Sequence, residues 1–427
     1  MICRARMFKA KSLAKLAPLT RAYASLAPVA TTANGIKIAA LDTESPLASL
    51  SLVINAGSRF ETADTAGSAH YLKAFGFRNT QTRTGFRTVR EAELNGATLT
   101  AEATRENITY TIRCFKDAVP YFVDVLADIA TATKFTEHEF REINKLVEFE
   151  SLRARSDPVT RVIEGVHQAA FRSGLGNSLF ALPSAVATGD AVRQYAQNAL
   201  SGRIAIVGTG VSAQALSELV GQSQFSVLSS QPLPTPQAKF TGGTQQIYEA
   251  ASPLSYYALA FAAEPQAASV LAHLLGAQKR MKWSTGASPL AKLAATEGFN
   301  VEAFSYAYSD AGLVGVLVSA PTGQIKDAVE KVAKSIQSHV AKPGNEAAER
   351  AVAAAKVDIA GELATLRGTQ TMLTQAALGQ KNVVTLESVD QAAEKLSEAA
   401  SKTFQSKPVA ASVGLSQTTP YVDTLGF

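Results

Sequence analysis

The sequence predicts an α+β chain of two homologous domains, each a mainly antiparallel sheet with helices packed on one side. Three observations carry that prediction. Residues 96–115 (GATLTAEATRENITYTIRCF) read as two strands around a polar turn, followed by a helix at 120–131. The same order returns about 200 residues later, where 298–320 (GFNVEAFSYAYSDAGLVGVLVSA) gives two strands around Ser309-Asp310 and a helix at 324–339. Between the copies, residues 226–243 hold Pro232, Pro234, Pro236, Gly242 and Gly243 with little apolar periodicity, as a linker does.

The remaining elements follow in chain order. Residues 1–23 contain Arg4, Arg6, Lys9, Lys11, Lys15 and Arg21, no acidic residue, and apolar positions Met7, Leu13, Leu16 and Leu19 that can face away from the bases. That is the pattern of a mitochondrial transit peptide, and Arg21-Ala22-Tyr23-Ala24 places the mature N-terminus at Ala24. Without this segment the chain holds 35 basic against 36 acidic side chains, so nucleic-acid binding has no electrostatic footprint. Cys3 is lost with it; Cys114, alone in an apolar strand, reads as a buried structural thiol in a reducing compartment. No run of about 18 apolar residues exists to span a membrane. The expected organisation is a transit peptide at 1–23, a first domain at 24–225, the linker at 226–243 and a second domain at 244–427.

Helical pairs are expected at 137–171, interrupted at Asp157-Pro158, and at 346–378, interrupted near Gly368. Each half then closes with a helix and a short apolar strand: 191–197 before 203–207, and 390–400 before 408–413. Phe140, Ile143, Val147 and Glu150 share one side of the first long helix, which puts Glu150 at the edge of a buried face.

The residues that bear on chemistry are His70, Tyr71, Leu72, Lys73 and Ala74, which follow the segment NAGSRFE at 55–61. They resemble the His-x-x-Glu-His zinc motif of the pitrilysin/insulinase peptidases, with Lys73 in place of the catalytic Glu and Ala74 in place of the second His. The intact motif works because two His at i and i+4 grip the metal from one helix face while the Glu takes a proton from zinc-bound water. The resemblance implies a third ligand on a later helix, which spacing places at Glu150. His70 and Glu150 alone are two ligands where catalytic zinc needs three, so no catalytic residue, metal or cofactor is expected here. A positive charge is still wanted opposite Glu150, and Lys73 is expected within about 4 Å of it. His70 itself reads as a hydrogen-bonded helix residue. Glu148 and Glu150, at i and i+2, point to different faces and cannot act as a carboxylate pair.

The duplicated halves, the degenerate motif and the linker together resemble the pitrilysin/insulinase superfamily over nearly the whole mature chain. Within it, residues 162–179 (VIEGVHQAAFRSGLGNSL), 203–212 (RIAIVGTGVS) and 419–425 (TPYVDTL) look like the core protein 2 family of mitochondrial ubiquinol-cytochrome c reductase, respiratory complex III. That resemblance implies a noncatalytic subunit, peripheral to the matrix side of the inner membrane, which pairs with core protein 1 and other complex III subunits in a dimeric complex and supports its assembly. Two alternatives stand beside it: a noncatalytic alpha-type subunit of the matrix processing peptidase, and a presequence-binding module. The former carries a long glycine-rich loop, whereas 275–289 here has only Gly276 and Gly286. The Arg and Tyr of active members are likewise missing from 293–301 (LAATEGFNV). Gly208-Thr209-Gly210 lacks the rest of a phosphate loop and reads as a strand-ending turn. His138, His167, His273 and His339 show no metal-ligand spacing, and Trp283, Tyr256 and Tyr257 read as core or interface aromatics.

Overall fold

The computed structural model describes residues 29–33, 36–43, 45–182, 188–200, 204–227, 235–249, 252–276, 286–380, 383 and 385–427. The expected transit segment with Ala24, linker residues 228–234 and Trp283 lie outside the described residues. The first half runs β1 (Val29–Ala33), β2 (Ile36–Leu41), β3 (Leu47–Ile54), α1 (Ser68–Ala74), α2 (Gly85–Leu94), β4 (Thr98–Ala103), β5 (Ile108–Phe115), α3 (Val119–Thr131), α4 (Glu137–Ser156), α5 (Pro158–Phe171), α6 (Gly189–Leu200), β6 (Ile204–Thr209) and α7 (Ala213–Gln222). The second runs β7 (Gly243–Tyr248), β8 (Leu254–Ala263), α8 (Pro265–Leu275), α9 (Pro289–Glu297), β9 (Asn300–Ala307), β10 (Gly312–Pro321), α10 (Ile325–Ser335), α11 (Asn345–Leu363), α12 (Leu366–Ala377), α13 (Leu386–Glu394), α14 (Leu396–Phe404) and β11 (Val409–Gly414).

The sheet orders are β1-β2-β6-β3-β5-β4 and β7-β11-β8-β10-β9. Apart from β1 the two orders correspond strand for strand. Each has one parallel pair in the same place, β2–β6 and β7–β11, and antiparallel pairs elsewhere. The break between α4 and α5 follows from Asp157, whose carboxylate accepts the Val159 and Thr160 N–H groups (3.3 and 3.1 Å) while Pro158 opens the next helix. In the second half the break falls at Ala364-Thr365, near Gly368 as expected. Thr365 Oγ1 caps α12 by accepting the Gly368 N–H (3.0 Å), and a Cβ at Gly368 would lie 2.0 Å from the Glu362 carbonyl. The single helix expected at 390–400 is two, α13 and α14, meeting at Lys395, and α10 continues into a π-turn at Ile336–Val340.

One face of each sheet packs on helices of its own half, as expected. Leu50, Ile112 and Ile206 meet Phe122 and Leu126 of α3, Val192 of α6 and Leu216 of α7; Phe261 and Val314 meet Val270 and Leu274 of α8, Val332 of α10 and Phe404 of α14. The opposite faces are covered as well, by helices that have changed halves. Val162, Val166 and Ala170 of α5 bury Ala258, Ala260, Leu313 and Ala411 of the second sheet. Leu373 and Ala377 of α12 bury Ala39, Val53, Ala205 and Val207 of the first. Coverage on both faces explains why β3, β8 and β10 are nearly continuous apolar runs. Gly165 lets α5 approach closely, since a Cβ there would stand 3.0 Å from the Ala411 Cβ. Gln370 of α12 satisfies its amide on Ser51 Oγ (3.0 Å) and Ser49 Oγ.

An ion cluster centred on the buried pair Arg59–Glu106 locks the exchange. Arg59, in the turn after β3 and 1% exposed, donates to Glu106 (2.7 Å) in its own half and forks onto both carboxylate oxygens of Asp310 (2.7 and 2.5 Å) in the β9–β10 turn. It also donates to the Pro236 carbonyl of the linker. Ser309 presents its N–H and hydroxyl to Glu106, and Ala238 N–H donates to Asp310 (2.9 Å). Deleting the guanidinium would leave the buried Glu106 carboxylate without its cation and release the more exposed Asp310. Arg59→Leu is therefore expected to cost about 3–5 kcal/mol in denaturant unfolding, and a cost below about 1 kcal/mol would contradict the lock.

His167 of α5 lies in the same interface, wholly buried. Its Nδ1–H donates to the Ile163 carbonyl and its Nε2 accepts the Tyr308 hydroxyl, both at 2.7 Å. Burial, assisted by the charge of Arg105, pushes its pKa down to about 3. The unfolded chain takes up this proton near pH 6.5 and the folded chain does not, so stability falls as pH drops through that window, by about 1.4 kcal/mol per unit. His167→Phe removes this slope. Its stability difference from the wild type, large near neutrality where the Tyr308 bond is lost, is expected to shrink between about pH 6.5 and about pH 4.5 in denaturant titrations.

Candidate functional site

The site is assembled on α1, a helix of seven residues that begins after Gly67 in the left-handed region (φ 84°). Glu61 accepts the N–H groups of Gly67 (2.9 Å) and Ala69 (2.7 Å), and burial outweighs those bonds to push its pKa up to about 7. Ala69 and Leu72 enter the core, and Tyr71 stacks on Phe140 of α4 (ring centroids 5.2 Å apart) while its hydroxyl donates to Asn144 (2.5 Å). That packing presents His70 and Lys73, one turn apart, to α4.

His70 is 3% exposed and its ring is fixed at both nitrogens. Nδ1 accepts the Ala181 N–H (3.2 Å), so the proton sits on Nε2, which donates to Glu150 Oε2 (2.6 Å). Phe180 packs edge-on against the ring. Lys73 Nζ donates to the same Glu150 oxygen at 2.6 Å, inside the separation expected from the sequence. Burial raises the Glu150 pKa, but the hydrogen bonds and charges of Lys73 and His70 outweigh it and hold the carboxyl below its usual range. Burial lowers the His70 pKa, with the Lys73 ammonium adding to the effect. The resulting charge pattern is an ammonium and a neutral imidazole sharing one carboxylate. Glu148 is exposed and turned to Asn144, away from this cluster.

A zinc ion does not suit these residues. Ala74 carries no donor atom, and the Lys73 ammonium lies against the carboxylate that would have to bind the metal. Among the described residues no three His, Cys, Asp or Glu side chains converge to hold a metal ion. Cys114 is buried in β5 with its thiol pushed up to about 11 by burial, which leaves it protonated and inert at neutral pH. Gly208-Thr209-Gly210 ends β6 and turns back through Gly210 (φ 77°).

Sequence reasoning missed one relation. His273 of α8 holds Asp358 of α11 at 2.7 Å, with its Nδ1 on the Ser269 carbonyl. Helices α8 and α11 stand in the second half where α1 and α4 stand in the first, so each half keeps a His–carboxylate pair between corresponding helices. The separations along the chain, 85 and 80 residues, are the signal that could have found it.

Comparison with known proteins gives this geometry its family. Residues 37–181 match the model of insulinase, peptidase family M16, and 187–355 match that of the peptidase M16 inactive domain. Over 409 residues the chain is 35% identical to the mitochondrial cytochrome b-c1 complex subunit 2 of Cryptococcus neoformans, covering 93% of this chain and 94% of that protein. The chain belongs to the cytochrome b-c1 complex subunit 2 family. The subunit 2 proteins of Neurospora crassa (32% identical, covering 97% of this chain and 95% of theirs) and Homo sapiens (30%, 92% and 90%) are similar along the same length. This is the core protein 2 family of complex III expected from the sequence, a noncatalytic branch of the M16 fold.

The ion pair makes the site pH-dependent in a definite direction. A carboxyl whose pKa is depressed on folding contributes stability above its unfolded value, near pH 4.3, and loses that contribution as pH falls through the folded value. Lys73→Met removes the strongest of the depressing contacts. The acid limb of its unfolding curve is expected to move to higher pH than that of the wild type; coincident acid limbs would show that Lys73 does not hold Glu150.

Proposed function

We propose that this chain is a noncatalytic, matrix-facing core subunit of mitochondrial complex III, supporting assembly and stability of the complex that passes electrons from ubiquinol to cytochrome c. The observation that carries the loss of peptidase chemistry is the Lys73 ammonium 2.6 Å from Glu150 in a fold whose relatives are named as complex subunits over nine-tenths of its length. With no Glu to activate water and no third ligand, hydrolysis has neither nucleophile nor metal. We further read residues 1–23 as a transit peptide removed before Ala24, and residues 24–225 and 244–427 as the two domains joined by 226–243. No helix among the described residues is long and apolar enough to cross a membrane, so the chain reaches the inner membrane through partners. Core protein 1 is the proposed principal partner, through an obligate-type interface of roughly 2,000 Å² or more, in a dimeric complex.

Purification from detergent-solubilised mitochondria tests this reading. The chain is expected to migrate with haem-containing subunits, and to show no chelator-sensitive cleavage of presequence peptides with or without added zinc. Recovery as a free monomer with zinc-dependent turnover would overturn it.

A further inference from the structure

The outer side of α4 carries an apolar ridge that nothing among the described residues covers. Leu146, Phe149 and Leu152 are 42%, 63% and 61% exposed, while Ile143, Val147 and Ser151 on the inner side are buried. A spacing of three residues lines the exposed trio along one stripe of the helix. Together they present roughly 300 Å² of apolar surface, the scale of patch that marks an interaction site rather than scattered surface residues. The charges beside the ridge are not balanced. Glu142 faces Arg78 at 3.8 Å and Glu148 accepts from Asn144 at 2.7 Å, so both carboxylates are engaged. Lys145 and Arg153, exposed about one turn to either side of Phe149, have no carboxylate partner among the described residues.

We propose that this ridge is the apolar centre of the contact with a partner protein whose facing surface is apolar in the middle and carries carboxylates opposite Lys145 and Arg153. That the partner is another subunit of the complex rests on the assembly reading above; its chemistry rests on α4 alone. A second copy of this chain does not fit. The antiparallel register that covers all three apolar side chains, Phe149 on Phe149 and Leu146 of one copy on Leu152 of the other, also sets Lys145 against Arg153, and like charges at such a contact repel. A lipid surface fits less well, because bases and acids alternate around the ridge. A protein can match that border residue by residue and a uniformly anionic leaflet cannot. An apolar centre with a charged rim is the usual anatomy of a protein interface, and a standard one buries about 800 Å² per partner, which the ridge and its rim would begin.

The test places the photo-cross-linker Phe149→p-benzoylphenylalanine in the full chain within mitochondria and maps the linked residue by mass spectrometry. A link to another protein is expected, at a segment holding Asp or Glu within about two helical turns of an apolar linked residue. Phe149→Glu/Leu152→Glu is expected to lower recovery of the chain with that partner about tenfold or more, and Lys145→Glu/Arg153→Glu, which leaves the ridge itself intact, about fivefold or more. Both pairs are exposed, so the free variants are expected to unfold at the wild-type denaturant midpoint. A link to a second copy of this chain, a link to lipid, no link at all, or undiminished recovery of both variants overturns the proposal. Migration of the wild type with haem-containing subunits tests the assembly reading separately: a mapped acidic-rimmed partner outside that complex upholds the ridge and rejects the reading.

Discussion

Each sheet of this chain depends on a helix that belongs to the other half. Without α12, the first sheet would expose Ala39, Val53, Ala205 and Val207; without α5, the second would expose Ala258, Ala260 and Ala411. Burying such a face is worth roughly 25 cal/mol per Å² of apolar surface, so neither half reaches its stable form alone and the two fold as one unit. The other contacts between halves are arranged around this exchange. Thr241 of the linker donates its N–H to the end of α5 at Ala170 (2.7 Å), and Arg59 gathers one turn from each half and the Pro236 carbonyl about a single guanidinium.

The exchange separates two tasks that a peptidase fold would combine. Asp157 and Pro158 divide the long helical stretch so that α4 stays with its own half, facing α1, while α5 crosses to the other sheet. Glu150, about two turns before that break, is therefore held in place whether or not a metal is bound. Its carboxylate is half-buried, and an unpaired charge in that position would be costly. Lys73 supplies the opposite charge directly. The second half places a His–carboxylate pair, His273 and Asp358, at the corresponding helix contact.

Much of this was legible in the sequence because it depends on local order. The strand pairs at 96–115 and 298–320, the break at Asp157-Pro158 and the convergence of Lys73 with Glu150 follow from periodicity, capping chemistry and one motif. The crossing of α5 and α12 did not follow, because hydropathy reveals that a helix has an apolar face and not which sheet it meets. A trace existed in Gln168-Ala169-Ala170 and Gln375-Ala376-Ala377, repeated about 200 residues apart at matching positions of the two crossing helices. Arg59 was invisible for a different reason: its partners Ser309 and Asp310 are 250 and 251 residues away, and a lone Arg after a buried strand gives no sign of a turn arriving from the other domain. His167 and Tyr308 are separated in the same way.

The crossing also explains why a cavity persists beside a motif that has lost its chemistry. Because α5 leaves its own half, it faces α4 on one side and β7 on the other, and the gap left between them is walled by Gly165, Gln168, Gln245 and Ile247. Gln168 and Gln245 bond across it at 2.9 Å, holding the two halves at a fixed spacing. None of these groups touches Ala74, and the ring of His70 is fixed from behind by Ala181 rather than by any metal. Loss of the zinc ligands therefore leaves the walls where the exchange puts them. A cavity maintained by the main packing of the fold does not close when one chemistry is abandoned.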